Sequence, residues 1–260
     1  MSVDAGVADV RLTRPDKLNA LDAPMVEGIV AAGEQVGSDP TVRVVVLSGE
    51  GRGFCAGLDF AAFQSMTEDG DDAVAGLGTI AKLAQRVVRI WAELPVPVIA
   101  AIHGPALGGG LQLALGADIR IVAPDAQLGA LEIRWGIVPD MTGTQVLPGL
   151  VGIDRAKDLV LTGRTITGDE AVAIGLATRA SDDPRGAALT LAREIAAMNP
   201  HAVRHAKRLL DLAGSVTLDD GLAQERVAMR DLVGSANQVE AVTASFEKRV
   251  PLFEDPRPNE

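Results

Sequence analysis

Apolar positions recur along this chain with different periods, and each period predicts a different element. Val7 to Leu12 alternates apolar and polar residues, as an edge or half-buried strand does. Asp22 and Pro24 read as N-cap and early-helix signals, and the helix they open runs to about Val36, where Gly37 closes it. Val42 to Leu47 is a β-branched run of the kind found in strands buried on both faces. From Asp72 to about Glu93, apolar residues return at helical spacing through Leu77, Ile80, Leu83, Val87, Val88 and Trp91, until Pro95 and Pro97 stop the helix.

The stretch from Pro97 to Asp118, PVIAAIHGPALGGGLQLALGAD, changes period within itself. Val98 to Ile102 is a short apolar run. Gly104-Pro105 interrupts it as a pair that continues neither strand nor helix. Gly108, Gly109 and Gly110 then lead into the helix-period residues Leu111, Leu113, Ala114 and Leu115. The prediction is a strand, a turn and a glycine-lined helix start. Three glycines there lower helix propensity. They have one clear use: the first N–H groups of the helix, which lack intrahelical partners and sit at the positive end of its dipole, are left unshielded for a ligand. Such a place suits a developing negative charge. Close packing of helix on strand through small residues accounts for the same glycines, and the segment alone leaves both readings open.

A strand over 118–123 follows, then a short extended piece from Gln127 to Ala130. Helices are predicted over 143–150 and 154–162, and from Thr167-Gly168 to Gly175. Beyond Pro184 the pattern is helical throughout, over 185–198, 201–212, 217–232 and 237–248, and PLFEDPRPNE reads as a frayed tail. Strands alternating with helices argue for a layered α/β domain over 1–183, and helices alone for a helical region over 184–260 that caps or joins subunits.

With 260 residues the chain can bury a full core as one large domain or two small ones. A net charge of −11 argues against general nucleic-acid binding, which needs a basic face, and aromatic residues at 3%, with no tyrosine, argue against base-stacking platforms. Cys55 is the single cysteine, so no disulfide framework or cysteine metal cluster is expected. No basic start with an apolar core marks a signal peptide, and no run approaches ~18 apolar residues. The expectation is a cytoplasmic protein that binds no membrane.

Candidate chemistry is sparse. Gly51-x-Gly53-x-x-Ala56 fits a loose dinucleotide fingerprint, yet no clear helix start follows it and the acidic residue that should end the next strand is missing, so a loop needing small residues is the better account. His201 and His205 have metal-ligand spacing, but with Arg204, Lys207 and Arg208 around them they describe a surface helix, and no metal is expected. Cys55, among small neighbours, reads as a buried thiol. Glu132 lies between Leu131 and Ile133. If buried, its raised proton affinity suits a general acid or base; pairing with Arg134 is the plainer alternative. Asp140 has a plain role as N-cap of the helix near Thr142.

Taken together, RPDKLNAL (14–21), VRVVVLSGEGRGFCAGLDF (42–60), PVIAAIHGPALGGGLQLALGADIRIV (97–122), LEIRWGIVPDMTGTQVLP (131–148), LTGRTITGDEAVAIGLA (161–177) and FEKRVPLF (246–253) resemble the crotonase family, the enoyl-CoA hydratase/isomerase superfamily. The matching pieces cover most of the chain in the family's order. The resemblance implies an α/β spiral of ββα units with a C-terminal helical region that trimerises, as a homotrimer or dimer of trimers. It implies an acyl-CoA thioester as ligand, coenzyme A being part of the substrate and no cofactor being needed. It also implies an oxyanion hole of two backbone N–H groups, Leu58 in CAGLD and Gly109, the middle glycine. By the same resemblance Ala56, Asp59, Phe60 and Ala61 border the CoA, and Lys17 and Lys248 reach its phosphates.

The chain departs from the family pattern at one point. Hydratases carry a glutamate two residues after the third glycine, where this chain has Gln112. The second hydratase glutamate corresponds to Glu132, and Asp140, eight residues on, is similar to an aspartate used as a base by dienoyl-CoA isomerases. The resemblance therefore implies a double-bond isomerase with Glu132 as principal acid/base, Asp140 as second base and Gln112 positioning water or substrate. A weak enoyl-CoA hydratase, or a non-catalytic or other-reaction acyl-CoA binder, is the alternative.

Overall fold

The structure, a computed structural model, describes residues 1–59 and 82–257. In chain order the strands are β1 (Ser2–Asp4), β2 (Val7–Leu12), β3 (Val44–Gly49), β4 (Val98–Ile102), β5 (Pro105–Leu107), β6 (Ile119–Val122), β7 (Gln127–Gly129), β8 (Ile166–Thr167) and β9 (Arg179–Ala180). The helices are α1 (Ala23–Ser38), α2 (82–92), α3 (Gly109–Leu115), α4 (Gly143–Val151), α5 (Ile153–Thr162), α6 (Gly168–Ala173), α7 (Pro184–Ala196), α8 (Pro200–Leu212), α9 (Leu218–Leu232) and α10 (Ala236–Glu247). Short 3-10 turns lie at Pro15–Lys17 and Glu132–Trp135.

The valine-rich segments form the centre of a six-stranded sheet in the order β1-β2-β3-β4-β6-β9. Only β1 runs antiparallel to its neighbour; β2 to β9 are parallel, with Val7 facing Val44 and Val45 facing Val98. Successive side chains of a strand point to opposite faces. Val45, Leu47, Val98, Ala100 and Ile102 therefore enter one core with Trp91, Phe54 and Leu113, while Val44, Val46, Ile99, Ala101 and Ile121 enter the other. Helix α7 covers that second face with Ala188, Ala192 and Ala196, one alanine every fourth residue, which lets its backbone lie close to the sheet. Burial on both faces is the reason β3 and β4 carry no polar alternation.

A second sheet, β5-β7-β8, stands beside the first and carries the segments that lead to α3 and the Glu132 turn. Of its strands the sequence pattern shows only β7, as the extended piece from Gln127 to Ala130. Gly104-Pro105 reads as a break, yet Pro105 opens β5. A proline at the first residue of a strand gives up no ladder donor, and its carbonyl accepts from the Cys55 N–H at 2.9 Å. Strands β8 and β9 have two residues each, too few to show a period.

Three other expectations shift. β3 starts at Val44, two residues late, because Arg43 turns out to the C-terminal tail: it donates to Asp255 Oδ1 at 2.6 Å, to the Phe253 carbonyl at 2.9 Å and to the Ala196 carbonyl at 3.1 Å. The tail is consequently pinned through residue 255 instead of frayed, with Asn237 and Glu254 exchanging two further bonds. The helix predicted from Asp72 lies outside the described residues up to residue 81, and its remainder is α2.

Candidate active site

The loop 54–59 is stitched on two sides. Its residues bond alternately to the strand-turn 103–107 and to the segment 18–21. The Phe54 N–H donates to the His103 carbonyl and the Leu107 N–H to the Cys55 carbonyl; the Ala56 N–H donates to Leu18, the Leu21 N–H to Gly57 and the Asp59 N–H to Leu21, all between 2.7 and 3.0 Å. In this alternation the Leu58 N–H falls on the side away from residue 21. Gly57 allows the passage. Its φ is +94°, and a Cβ there would lie 2.6 Å from the Leu107 carbonyl oxygen and 3.4 Å from the Gly109 nitrogen. Gly110 packs closer still, since a Cβ would sit 2.1 Å from the Cys55 carbonyl oxygen.

The glycine row fits both readings left open by the sequence. Gly110 lets helix and loop touch, and Gly109, at the first position of α3, presents an N–H that has no intrahelical acceptor. Among the described residues, neither the Gly109 nor the Leu58 N–H donates to a backbone carbonyl outside the regular elements. Gly57, the neighbour of Leu58, thus lies beside the Gly109 nitrogen, and Leu21 and Met141 border Gly109, their side chains 3.2 and 3.0 Å from where its Cβ would be.

Glu132 enters from the 3-10 turn after β7. Its side chain is buried, 7% exposed, and lies against Gly108, whose Cβ would be 3.4 Å from Oε1. Arg134 is not its partner. Oε1 accepts instead from Gln112 Nε2 at 2.6 Å, and Oε2 is buried with no hydrogen-bond partner among the described residues. A buried, unpartnered carboxylate oxygen is costly unless it has work to do. Burial pushes the proton affinity of Glu132 up, the negative charge of Asp140 adds to the push, and its own backbone N–H and the Gln112 amide oppose it.

Gln112 is 1% exposed, and its carbonyl accepts from both the Met141 and the Gly143 N–H at 2.9 Å. Helix α3 and the loop before α4 are joined through this side chain. That loop holds Thr142 in the left-handed region at φ +77°, an unusual place for a β-branched residue, with its hydroxyl buried and unpartnered. Thr142 occupies the N-cap position of α4 without a side-chain bond, so Asp140 is not the cap that the sequence suggests; it is exposed in the loop and acts on Glu132 by charge.

The other expected residues spread around this centre. Ala56 and Asp59 border it in the stitched loop, Asp59 taking the Arg14 guanidinium at 2.6 Å. Lys17 and Lys248 are exposed cations on the 3-10 turn and just past α10. Phe60 and Ala61 lie outside the described residues. Cys55 is buried, its thiol pushed up to about 12 by desolvation, which makes it inert. Sequence reading missed the parts played by Arg14, which holds Asp59, by Asn19, which donates to the Glu50 and Gly53 carbonyls, and by the Met141 and Gly143 amides. The first two carried a signal, since they fall within RPDKLNAL; the amides carried none.

A cavity of about 1090 Å³ opens elsewhere, between residues 92–95, α8 and the C-terminal tail. It contains His201 and His205, but among the described residues no group of three metal-ligating side chains forms. Away from that cavity, the glycine row and the buried Glu132 carboxyl lie together, Oε1 being 3.4 Å from where a Gly108 Cβ would be.

A family model for enoyl-CoA hydratase/isomerase matches residues 2–256. The chain is similar to the mitochondrial enoyl-CoA hydratase domain-containing protein 2 of Bos taurus, 35% identical over 255 residues, covering 95% of this chain and 84% of that one. It is similar to the mitochondrial methylglutaconyl-CoA hydratase of Mus musculus, 34% identical over 95% of this chain and 79% of the other. Among solved structures, an enoyl-CoA hydratase from Bacillus anthracis superposes with a TM-score of 0.89 at 34% identity, covering 95% of each chain.

Proposed function

The chain belongs to the enoyl-CoA hydratase/isomerase family, and from that premise we propose that it moves a carbon–carbon double bond along the acyl chain of an enoyl-CoA. The observation that carries this reading is the pairing of one buried carboxylate, Glu132, with an amide, Gln112, where a second carboxylate would serve hydration. Adding water calls for a group that takes its proton and another that protonates Cα; Gln112 does neither, and its carbonyl is already engaged by two N–H groups.

In this mechanism the thioester oxygen lies between the Leu58 and Gly109 N–H groups. Oε2 of Glu132 takes a proton from Cα of a 3-enoyl thioester. The electron pair of that C–H bond forms a dienolate whose negative charge rests on the oxygen held by the two amides, and a missing donor of this kind typically costs ~10²–10³ in rate. The proton is returned at Cγ as the dienolate collapses, leaving the double bond between Cα and Cβ. Glu132 serves as the principal acid/base, with Asp140 as second base where a longer conjugated system must be reached. The raised proton affinity of Glu132 suits both halves, since burial makes the carboxylate a stronger base toward Cα and holds the proton until it is returned at Cγ.

Lys17 and Lys248 are the proposed partners of the CoA phosphates, and Ala56, Asp59, Phe60 and Ala61 border the thioester arm. Self-association as a homotrimer or dimer of trimers is supported by large apolar side chains left exposed on the C-terminal helices and tail, such as Leu210, Leu218, Met229 and Phe246, the last 84% exposed. Turnover of 2-enoyl-, 3-enoyl- and dienoyl-CoA panels tests the reaction. Double-bond migration should exceed hydration at least tenfold, and faster hydration, or turnover of none of the three, would replace this reading.

A further inference from the structure

Gln112 makes three hydrogen bonds, and together they allow one orientation of its amide. The Met141 and Gly143 N–H groups both point at one atom 2.9 Å away, which must therefore be the carbonyl oxygen. The NH₂ end is then turned toward Oε1 of Glu132 at 2.6 Å. Gly143 leaves its N–H room to reach the Gln112 carbonyl, since a Cβ there would lie 2.8 Å from the Gln112 oxygen. On the other side of the carboxylate, Oε2 is buried and unpartnered.

We propose that Gln112 is a positioning residue that ties Oε1 of Glu132, leaves Oε2 as the one oxygen of that carboxylate that exchanges protons with substrate, and keeps a second titrating group from standing beside it. This rests on the proton-transfer role proposed for Glu132 and explains what a glutamine does where a carboxylate would be expected. Its carbonyl is not available to position water. A carboxylate in its place would keep both backbone bonds but put a second negative charge 2.6 Å from Oε1, and two carboxyl groups at that spacing do not both ionise. The surroundings supply little competing charge. Among the described elements packed on Glu132, α3 and α4 carry no ionisable side chain, α5 carries Asp154, Arg155, Lys157 and Asp158 on its exposed face, Arg134 is exposed on the same turn, and Asp140 in the loop before α4 acts on Glu132.

The test follows the Glu132 carboxyl itself, by ¹³C NMR titration of the whole protein, with the Glu132→Gln variant identifying the resonance. In Gln112→Glu, which keeps the two backbone bonds and so the fold, the Glu132 midpoint should rise by about one pH unit or more. Isomerisation at pH values below the new midpoint should fall at least about tenfold, with KM within about threefold of the parent and the gap closing toward alkaline pH. Gln112→Met, which keeps length but no amide, should lower kcat about 10- to 100-fold at nearly constant KM. Identical titration of Glu132 in the parent and Gln112→Glu would overturn the proposal, as would a Gln112→Met enzyme altered in KM alone. Failure of the parent to turn over any enoyl-CoA would instead strike the proposed function, while the titration would still decide what Gln112 does.

Discussion

Replacing Glu132 by glutamine removes one ionisable group and almost no volume. The side chain is 7% exposed, so the variant amide fills the same space and its carbonyl can still accept from Gln112. What disappears is the proton acceptor. A positioned acid or base is typically worth ~10²–10⁴ in rate, and Glu132 has no buried carboxylate beside it to take over, so the upper end applies. A loss of ~10⁴ in kcat corresponds to about 5 kcal/mol of transition-state stabilisation. Absorbance of the conjugated thioester formed from a 3-enoyl-CoA gives kcat and KM, and KM should stay within about threefold because Oε2 contributes to the transition state more than to binding. A second reading comes from stability. Burial raises the proton affinity of Glu132 above its unfolded value, so its favourable contribution is complete below the ordinary carboxylate range and is lost as pH rises through the folded value. The glutamine variant has no such loss. Its Tm relative to the parent should therefore grow more favourable between pH 4 and pH 8. A variant that keeps more than a tenth of the parent rate, or a Tm difference that does not change with pH, would refute the reasoning.

Asp140→Asn should leave Tm nearly unchanged, since Asp140 is exposed and caps no helix, while lowering turnover of a dienoyl-CoA by about tenfold or more; a fall in Tm with intact rate would assign it a structural role. Gly57→Ala should cost stability and rate together, because the new methyl meets the Leu107 carbonyl at 2.6 Å in a left-handed backbone and displaces the Leu58 amide; kcat should drop ~10²–10³, and unchanged kinetics would separate Leu58 from the oxyanion site. Lys207→Met should destabilise the fold by about 3 kcal/mol in denaturant titration, as Asp118 loses an ion pair with two bonds at 2.7 and 2.9 Å; a change under 1 kcal/mol would show the pair to be dispensable.

The amino-acid pattern carried the central sheet and the helices well, since β3 and β4 are buried on both faces and their β-branched runs say so. It carried the glycine row as well, because Gly110 is needed where the helix meets the Cys55 backbone and Gly109 where the Met141 and Leu21 side chains close in. It did not carry β5, where a proline hides a strand start, or β8 and β9, which are shorter than any period. The centre of the site was legible only in part. Glu132 stands out by its apolar neighbours, but its bond to Gln112 spans 20 residues, and the Met141 and Gly143 amides lie 29 and 31 residues from the carbonyl they serve. Backbone N–H groups have no signature in a residue code, and side chains that meet across such separations are brought together by the turns between them, not by local spacing. Asp140, for which the sequence left base and helix cap both open, is not the cap, because the left-handed Thr142 takes the helix start into a conformation that β-branched residues rarely adopt.

The two backbone amides that grip Gln112 do not distinguish an amide oxygen from a carboxylate oxygen. Glutamine and glutamate codons differ in one base. A single nucleotide change can therefore exchange a lone proton carrier for a coupled pair in an otherwise unaltered scaffold, with the loop before α4 held by the same two bonds in either case. A lineage built on this architecture can sample a different reaction without passing through an unfolded ancestor, and the site's history can be sought in the alternation of those two codons at one position.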